Sequence, residues 1–250
     1  MTTTTWHSCA SAPVRRHGGR ALLLAACLAW TGLAAAAPPR LSPATGPDEA
    51  GMVDVQALAP DIVVEMRYAG HDNFTGAPVP GYEANRCYLL RPAAEAVARV
   101  QARLREQGLG LVVYDCYRPA HAVRHFVAWA HGPDDPAQKA RWYPNIAKPA
   151  LLDGYIAETS GHSRGATVDL TLAECRDGAC APLDMGTPFD FFDTLANTDD
   201  PRPSPGQRAN RERLRAAMAA EGLRNYPMEW WHFTLDPEPD PDTAYDFPVR

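Results

Sequence analysis

Ser160-Gly161-His162-Ser163-Arg164-Gly165-Ala166-Thr167-Val168-Asp169-Leu170-Thr171-Leu172 is the stretch on which the reading of this chain turns. Its second half is β-branched and apolar, which favours a buried strand. The stretch 161–172 is expected to contribute a strand that carries Asp169. A second pair, Glu229 and His232, stands in Glu229-Trp230-Trp231-His232, where 229–235 reads as a final core strand. In a regular strand residues i and i+3 face opposite sides, so Glu229 and His232 are expected to play different roles. Pro227 places Glu229 in the turn that enters the strand.

Working outward, Pro92 sits at a first helical position, and Ala96, Val97, Val100 and Leu104 recur at helical spacing until Gly108 stops the run. A strand over 109–114 follows and delivers Asp115, Tyr117 and Arg118 to its end, before Pro119 opens another helix to about Trp129. Residues 208–222 read as an amphipathic helix with Leu214 and Met218 on one side. Val53, Val55, Leu58 and 62–64 suggest a short extended entry, and 73–82 is a Gly- and Pro-rich loop. Helices and strands do not alternate as in a βαβ sheet. The fold class expected is α+β, with helices packed on a small, largely antiparallel sheet.

The 250 residues suffice for one domain with a full core. Hydrophobic residues at 46% and charged residues at 22% exclude a disordered or fibrous chain. A net charge of −6 without a basic stripe makes nucleic acid an unexpected partner. Arg15, Arg16 and Arg20 precede an apolar run over 21–37 that ends in Ala35-Ala36-Ala37, which reads as a signal peptide of an exported, periplasmic or secreted protein. A lipoprotein anchored at Cys27 is the lesser alternative, and no stable membrane span is expected. Residues 38–51 read as a flexible N-terminal segment and 52–250 as the domain. Past the leader four cysteines remain, an even set that an oxidising compartment can pair. Of the three connectivities, Cys175–Cys180 as a short clip with Cys87–Cys116 is favoured. A four-thiolate zinc site is disfavoured because no C-x-x-C pair exists.

His162, Asp169 and His232 supply two imidazoles and a carboxylate, the donor set of a catalytic zinc that keeps a fourth position open. Glu229 is the candidate general base. Spacing alone leaves plainer readings standing: a His beside Gly is usually a loop residue, and an exposed Glu is unremarked. His121 and His125 are i and i+4 but lack the His-Glu-x-x-His carboxylate, so they read as surface or packing histidines. His71 and His131 receive no role, and Trp230 and Trp231 read as core and pocket wall.

Taken together, Ser160-x-His162-Ser-Arg-Gly165-x-x-x-Asp169 and Glu229-Trp-Trp-His232 resemble the paired motifs of the VanX-type D-alanyl-D-alanine dipeptidases. The likeness extends in order through Tyr68, Asp72-Asn73-Phe74-Thr75-Gly76, Tyr117-Arg118-Pro119, Phe189-Asp190-Phe191 and Asp246-Phe247-Pro248-Val249, covering 52–250. It implies the zinc D,D-peptidase (hedgehog-like) fold and hydrolysis of the dipeptide D-Ala-D-Ala. It implies one Zn2+ per chain on His162, Asp169 and His232, with Glu229 as base to the attacking water and Arg118 as the cation that meets the oxyanion. Asp190 matches a position that binds the substrate ammonium, and Tyr68 and Ser160 match positions that line the substrate. Two neighbours of the site depart from the pattern: Thr167 stands where Ala is usual and Gly161 where Ser is frequent. The alternatives are a zinc D,D-carboxypeptidase acting on longer wall peptides and a non-catalytic zinc-stabilised binding module.

Overall fold

In the computed structural model, which describes residues 38–176 and 179–250, the expected strand pair forms the middle of a mixed α/β architecture. In chain order the elements are β1 (Arg40–Leu41), β2 (Met52–Asp54), α1 (Val55–Leu58), β3 (Val63–Val64), β4 (Tyr88–Leu90), α2 (Arg91–Arg105), β5 (Leu109–Asp115), α3 (Ala120–Ala130), α4 (Pro136–Trp142), β6 (Thr167–Arg176), β7 (Ala179–Pro182), α5 (Pro205–Ala219), β8 (Leu223–Asn225), β9 (His232–Leu235) and β10 (Thr243–Ala244). The main sheet runs β3-β5-β6-β9-β8. Only β3 and β5 pair parallel within it; the other pairings are antiparallel.

The long strand β6 is the spine. β5 flanks it along one edge, while β9 pairs with its first residues and β7 with its last. Positions 167–173 are buried throughout, as a strand covered on both faces requires. Val168, Leu170 and Leu172 point to one side and Asp169 and Thr171 to the other. α2 packs against β5, and α5 packs against β6 and β8. Leu214 and Met218 of α5 are fully buried, as their helical spacing predicted.

Several expected boundaries move, some for local reasons and one for a tertiary reason. The segment 38–51, expected to be flexible, is held in place. Arg40–Leu41 pairs in parallel with Thr243–Ala244, Arg40 N donates to Asp242 O at 2.7 Å, and Ala50 and Met52 are buried. Its partner lies some two hundred residues away (|i−j| = 203 for the Arg40–Thr243 side-chain bond), so no local pattern announces it. The extended entry is broken at Val55–Leu58 by a helical turn, because the Asp54 side chain accepts from Gln56 N. α5 begins at Pro205, ahead of the expected 208, because Ser204 and Gln207 form a reciprocal capping box. α4 has no counterpart in the sequence reading, although Asp135-Pro136 carries both its cap and its first-turn proline. Strand 229–235 shortens to β9, leaving Glu229 in the preceding turn.

The expected disulfides are both present: Cys87–Cys116, and Cys175–Cys180 across the β6–β7 hairpin. The signal peptide expected over 1–37 lies outside the described residues. Among the described residues no helix is long and apolar enough to cross a membrane.

The turn ahead of β6 brings the two departures from the pattern, Gly161 and Thr167, into contact. Gly161–Arg164 forms a 3-10 turn closed by Gly165 at φ 77°, and a Cβ at Gly165 would come within 2.5 Å of Met52 Cε. A Cβ at Gly161 would lie 2.7 Å from Thr167 Oγ1, which is itself 2.9 Å from Thr234 Oγ1. Gly161 and Thr167 are therefore one packing feature: the threonine hydroxyl occupies the space a side chain at 161 would need.

Gly161→Ala is expected to cost about 1–3 kcal/mol, the usual range for overpacking. Thr167→Ala should cost about 1 kcal/mol through the lost cross-strand bond. Denaturant unfolding of both single variants and the double variant should show the double less destabilised than the sum, since removing the hydroxyl makes room for the new methyl. Strict additivity would mean that the two positions are independent.

Candidate metal centre and active site

Register brings the site together. Asp169 of β6 lies opposite His232 of β9 on one side and Asp115 of β5 on the other, so three chemistry-bearing residues form a row across three adjacent strands. His162 reaches the same point from the turn before β6, where the Ser160 side chain accepts from His162 N at 3.3 Å. One ligand atom from each of His162, Asp169 and His232 lies within 4.8 Å of the others. His162 Nε2 is 3.2 Å from Asp169 Oδ2, and His232 Nδ1 is 3.0 Å from Asp169 Oδ1.

Two features of this cluster fit a bound cation. His162 Nδ1 lies 2.7 Å from the Cys116 carbonyl, which only an Nδ1–H can satisfy, so a bare Nε2 faces the cluster. Asp169 Oδ1 is buried, with His232 Nδ1 at 3.0 Å but not aligned to donate to it. Burial pushes the Asp169 carboxyl up, but the imidazoles of His162 and His232 outweigh it and hold the group below the usual carboxylate range. Two nitrogens and an ionised carboxylate around a buried point, open on one side to a cavity, match zinc's preferred donors.

Glu229 is buried in the turn before β9, its Oε2 3.4 Å from His232 Nδ1. That turn is pinned by Glu229 N donating to Tyr226 O at 3.1 Å and by Asn225 Nδ2 donating to Glu229 O at 3.0 Å. Burial, with the charge of Asp169 adding and His232 opposing, pushes the Glu229 carboxyl up to about 7. Arg118 sits just past the end of β5. Its Nε donates to Asp115 Oδ2 at 2.9 Å, and its Nη2 lies 2.8 Å from the same oxygen and 3.8 Å from Asp169 Oδ2. Asp115 is held in turn by Tyr82 Oη at 2.7 Å and by Cys116 N at 2.9 Å. The guanidinium also stacks over Tyr68 and Phe126, with its carbon 5.2 and 5.0 Å from the ring centroids.

A cavity of about 220 Å³ opens from the cluster, and all eight side chains singled out in the sequence border it: Tyr68, Arg118, Ser160, His162, Asp169, Asp190, Glu229 and His232. Asp190 adopts left-handed backbone at φ 59°, and Tyr68 Oη donates to its Oδ2 at 2.9 Å. Burial, reinforced by Asp169, pushes the Asp190 carboxyl well above its ordinary value. Trp231 lines the wall. His121 is elsewhere, paired through Nδ1 with Asp246 Oδ1 at 2.5 Å.

The sequence reading gave no role to three groups that the structure places here. Asp115 orients Arg118, and the Asp-x-x-Arg spacing is a signal that could have found it. The Cys116 backbone carbonyl sets the His162 tautomer and has no side-chain signature. Tyr226 stacks edge-on against His232 at 5.6 Å and donates to Gly154 O at 3.1 Å, at the cavity's border, again without a motif.

The chain as a whole resembles known proteins. Residues 48–250 match the family model Peptidase_M15, described as D-ala-D-ala dipeptidase. A D-alanyl-D-alanine dipeptidase of Streptomyces coelicolor is 45% identical over 78% of this chain and 96% of its own length. Its namesake in Enterococcus faecium is 38% identical over 81% of this chain and 100% of its own, and that of Escherichia coli 35% over 75% and 86%. A solved Zn(II) complex of the vancomycin-resistance D,D-pentapeptidase VanY is a distant likeness, with TM-score 0.38 and 16% identity over 61% of this chain and 75% of that one. The match spans nearly the whole length of the curated relatives, and the chain belongs to the M15 metallopeptidase family of D-alanyl-D-alanine dipeptidases.

Proposed function

We propose that this chain hydrolyses D-Ala-D-Ala to two D-alanines, using one zinc ion held by His162, Asp169 and His232. The observation that carries the reading is that a buried acid, Glu229, a tethered guanidinium, Arg118, and a second buried acid, Asp190, all border the one small cavity at the ligand cluster. A merely structural zinc would need none of them.

Zinc in such a site supplies Lewis acidity and lowers the pKa of a water molecule towards about 7. Glu229, buried beside His232, accepts a proton from the attacking water and passes it to the departing amine of the second D-alanine. Arg118 cannot swing away, because Asp115 holds its Nε and Nη2, so its charge is already in place where the scissile carbonyl oxygen becomes negative. Asp190 receives the substrate's free ammonium. Burial disfavours its ionised form in the absence of a cation, and an ammonium group restores that form by pairing with it. A longer peptide has an amide there in place of an ammonium, which favours a dipeptidase over a carboxypeptidase of longer wall peptides. Tyr68 orients Asp190, and Ser160 caps the turn that presents His162.

Export is part of the proposal. The leader supports it, and so do two disulfides, which persist in an oxidising compartment. There the substrate would come from the cell wall.

Release of D-alanine from D-Ala-D-Ala by the mature protein should be lost on chelation and recovered on adding zinc. Glu229→Gln should lower kcat about 10²–10⁴-fold, the range of general-base contributions, while zinc remains bound. Arg118→Ala should lower it by about 10²–10³-fold, as loss of one oxyanion donor does. N-acetyl-D-Ala-D-Ala should be a poor substrate for the native enzyme, by a margin that shrinks in Asp190→Asn. A folded, zinc-loaded protein that releases no D-alanine would contradict the reading.

A further inference from the structure

The stretch leaving β5 carries three groups that border the metal cluster: the Asp115 carboxylate, the Cys116 carbonyl and the Arg118 guanidinium. The β5–β6 ladder ends at the Asp115–Asp169 pair, so the backbone beyond has no strand partner to fix it. Other links take the ladder's place. Arg118 N donates to His162 O at 3.3 Å, Tyr117 N donates to Tyr88 O at 3.0 Å, and Cys116 is bridged to Cys87 with Cα atoms 5.3 Å apart. The last two lead to adjacent residues, Cys87 just before β4 and Tyr88 at its start, and β4 is itself paired to β2. The bridge is buried, at 0% and 1% exposure of its two halves, so it stands inside the protein wall against the site.

The carbonyl of the bridged residue is the one that accepts the His162 Nδ1–H. We propose that the Cys87–Cys116 disulfide is a positioning element of the metal centre, holding the Cys116 carbonyl against His162 so that Nε2 faces the ion. The inference rests on the zinc reading of the site. Outer partners of metal-bound imidazoles act in this way, fixing tautomer and ring orientation, and their loss costs about 10–100-fold in metal affinity. The other bridge, Cys175–Cys180, lies at the far end of β6, about 20 Å from Asp169 along the strand, and serves as an internal control.

The test uses the mature chain and its variants Cys87→Ala/Cys116→Ala, Cys87→Val/Cys116→Ala and Cys175→Ala/Cys180→Ala. Zinc affinity is measured by competition with a chromophoric chelator, and the cobalt-substituted proteins give absorption spectra. Opening the Cys87–Cys116 bridge in a folded protein should weaken zinc binding about 10–100-fold, shift the cobalt spectrum, and lower kcat with little change in KM. Removing Cys175–Cys180 should alter none of these. Unchanged zinc affinity and cobalt spectrum in a folded Cys87/Cys116 variant overturn the proposal. So does failure of both such variants to fold, which would make the bridge a stability element alone. If the native chain itself binds no zinc, the reading of the metal centre falls first and the inference with it.

Discussion

Buried negative charge is the constraint on which the rest of this structure depends. Asp169, Asp190 and Glu229 are buried around one cavity, Asp115 is buried behind them, and Arg118 is the guanidinium placed among the four. An unpaired charge in a protein interior is costly, so each carboxyl must find a cation or keep its proton. Asp115 takes Arg118, and Asp169 has the imidazoles of His162 and His232. Asp190 and Glu229 are left, and burial pushes both carboxyls up. Without further positive charge these two carboxyls are driven toward the protonated form; a cation at the imidazoles and an ammonium at Asp190 would favour their ionised forms.

The sheet makes that concentration of charge possible. Antiparallel register sets Asp115, Asp169 and His232 side by side on β5, β6 and β9, an alignment no single segment could provide. The other face of β6 presents Val168, Leu170 and Leu172 to the core, and the apolar burial of that face supports the polar one. The remaining site residues come from turns at strand ends, where backbone direction changes and side chains can converge: His162 before β6, Glu229 before β9 and Arg118 after β5. Each turn is fixed by its own hydrogen bonds or, at Cys116, by a covalent bridge.

What the sequence disclosed follows from what local pattern can encode. The Asp169 strand is legible because β-branched residues act over a few positions, whereas the turn that presents His162 ahead of it, expected as part of the strand, appears only in the structure. The strand periodicity also separated Glu229 from His232 in role, and they do sit in turn and strand. The pairing of 38–51 with β10 was not legible, because both partners are short and their register is a tertiary property. Asp190 emerged through family resemblance alone: nothing in its neighbourhood marks a left-handed residue aimed at a cavity. The Cys116 carbonyl is invisible in any sequence, since every residue has one. The Gly161 and Thr167 departures stand apart in the sequence, and in space they become one matter of packing.

The most direct test of the account is X-ray absorption at the zinc edge on the purified mature protein, together with metal analysis. The account predicts one zinc per chain, coordinated only by nitrogen and oxygen at about 2.0–2.2 Å, with imidazole scattering from two histidines that drops by half in His232→Ala. Absence of zinc, or a sulfur shell at about 2.3 Å, would contradict it.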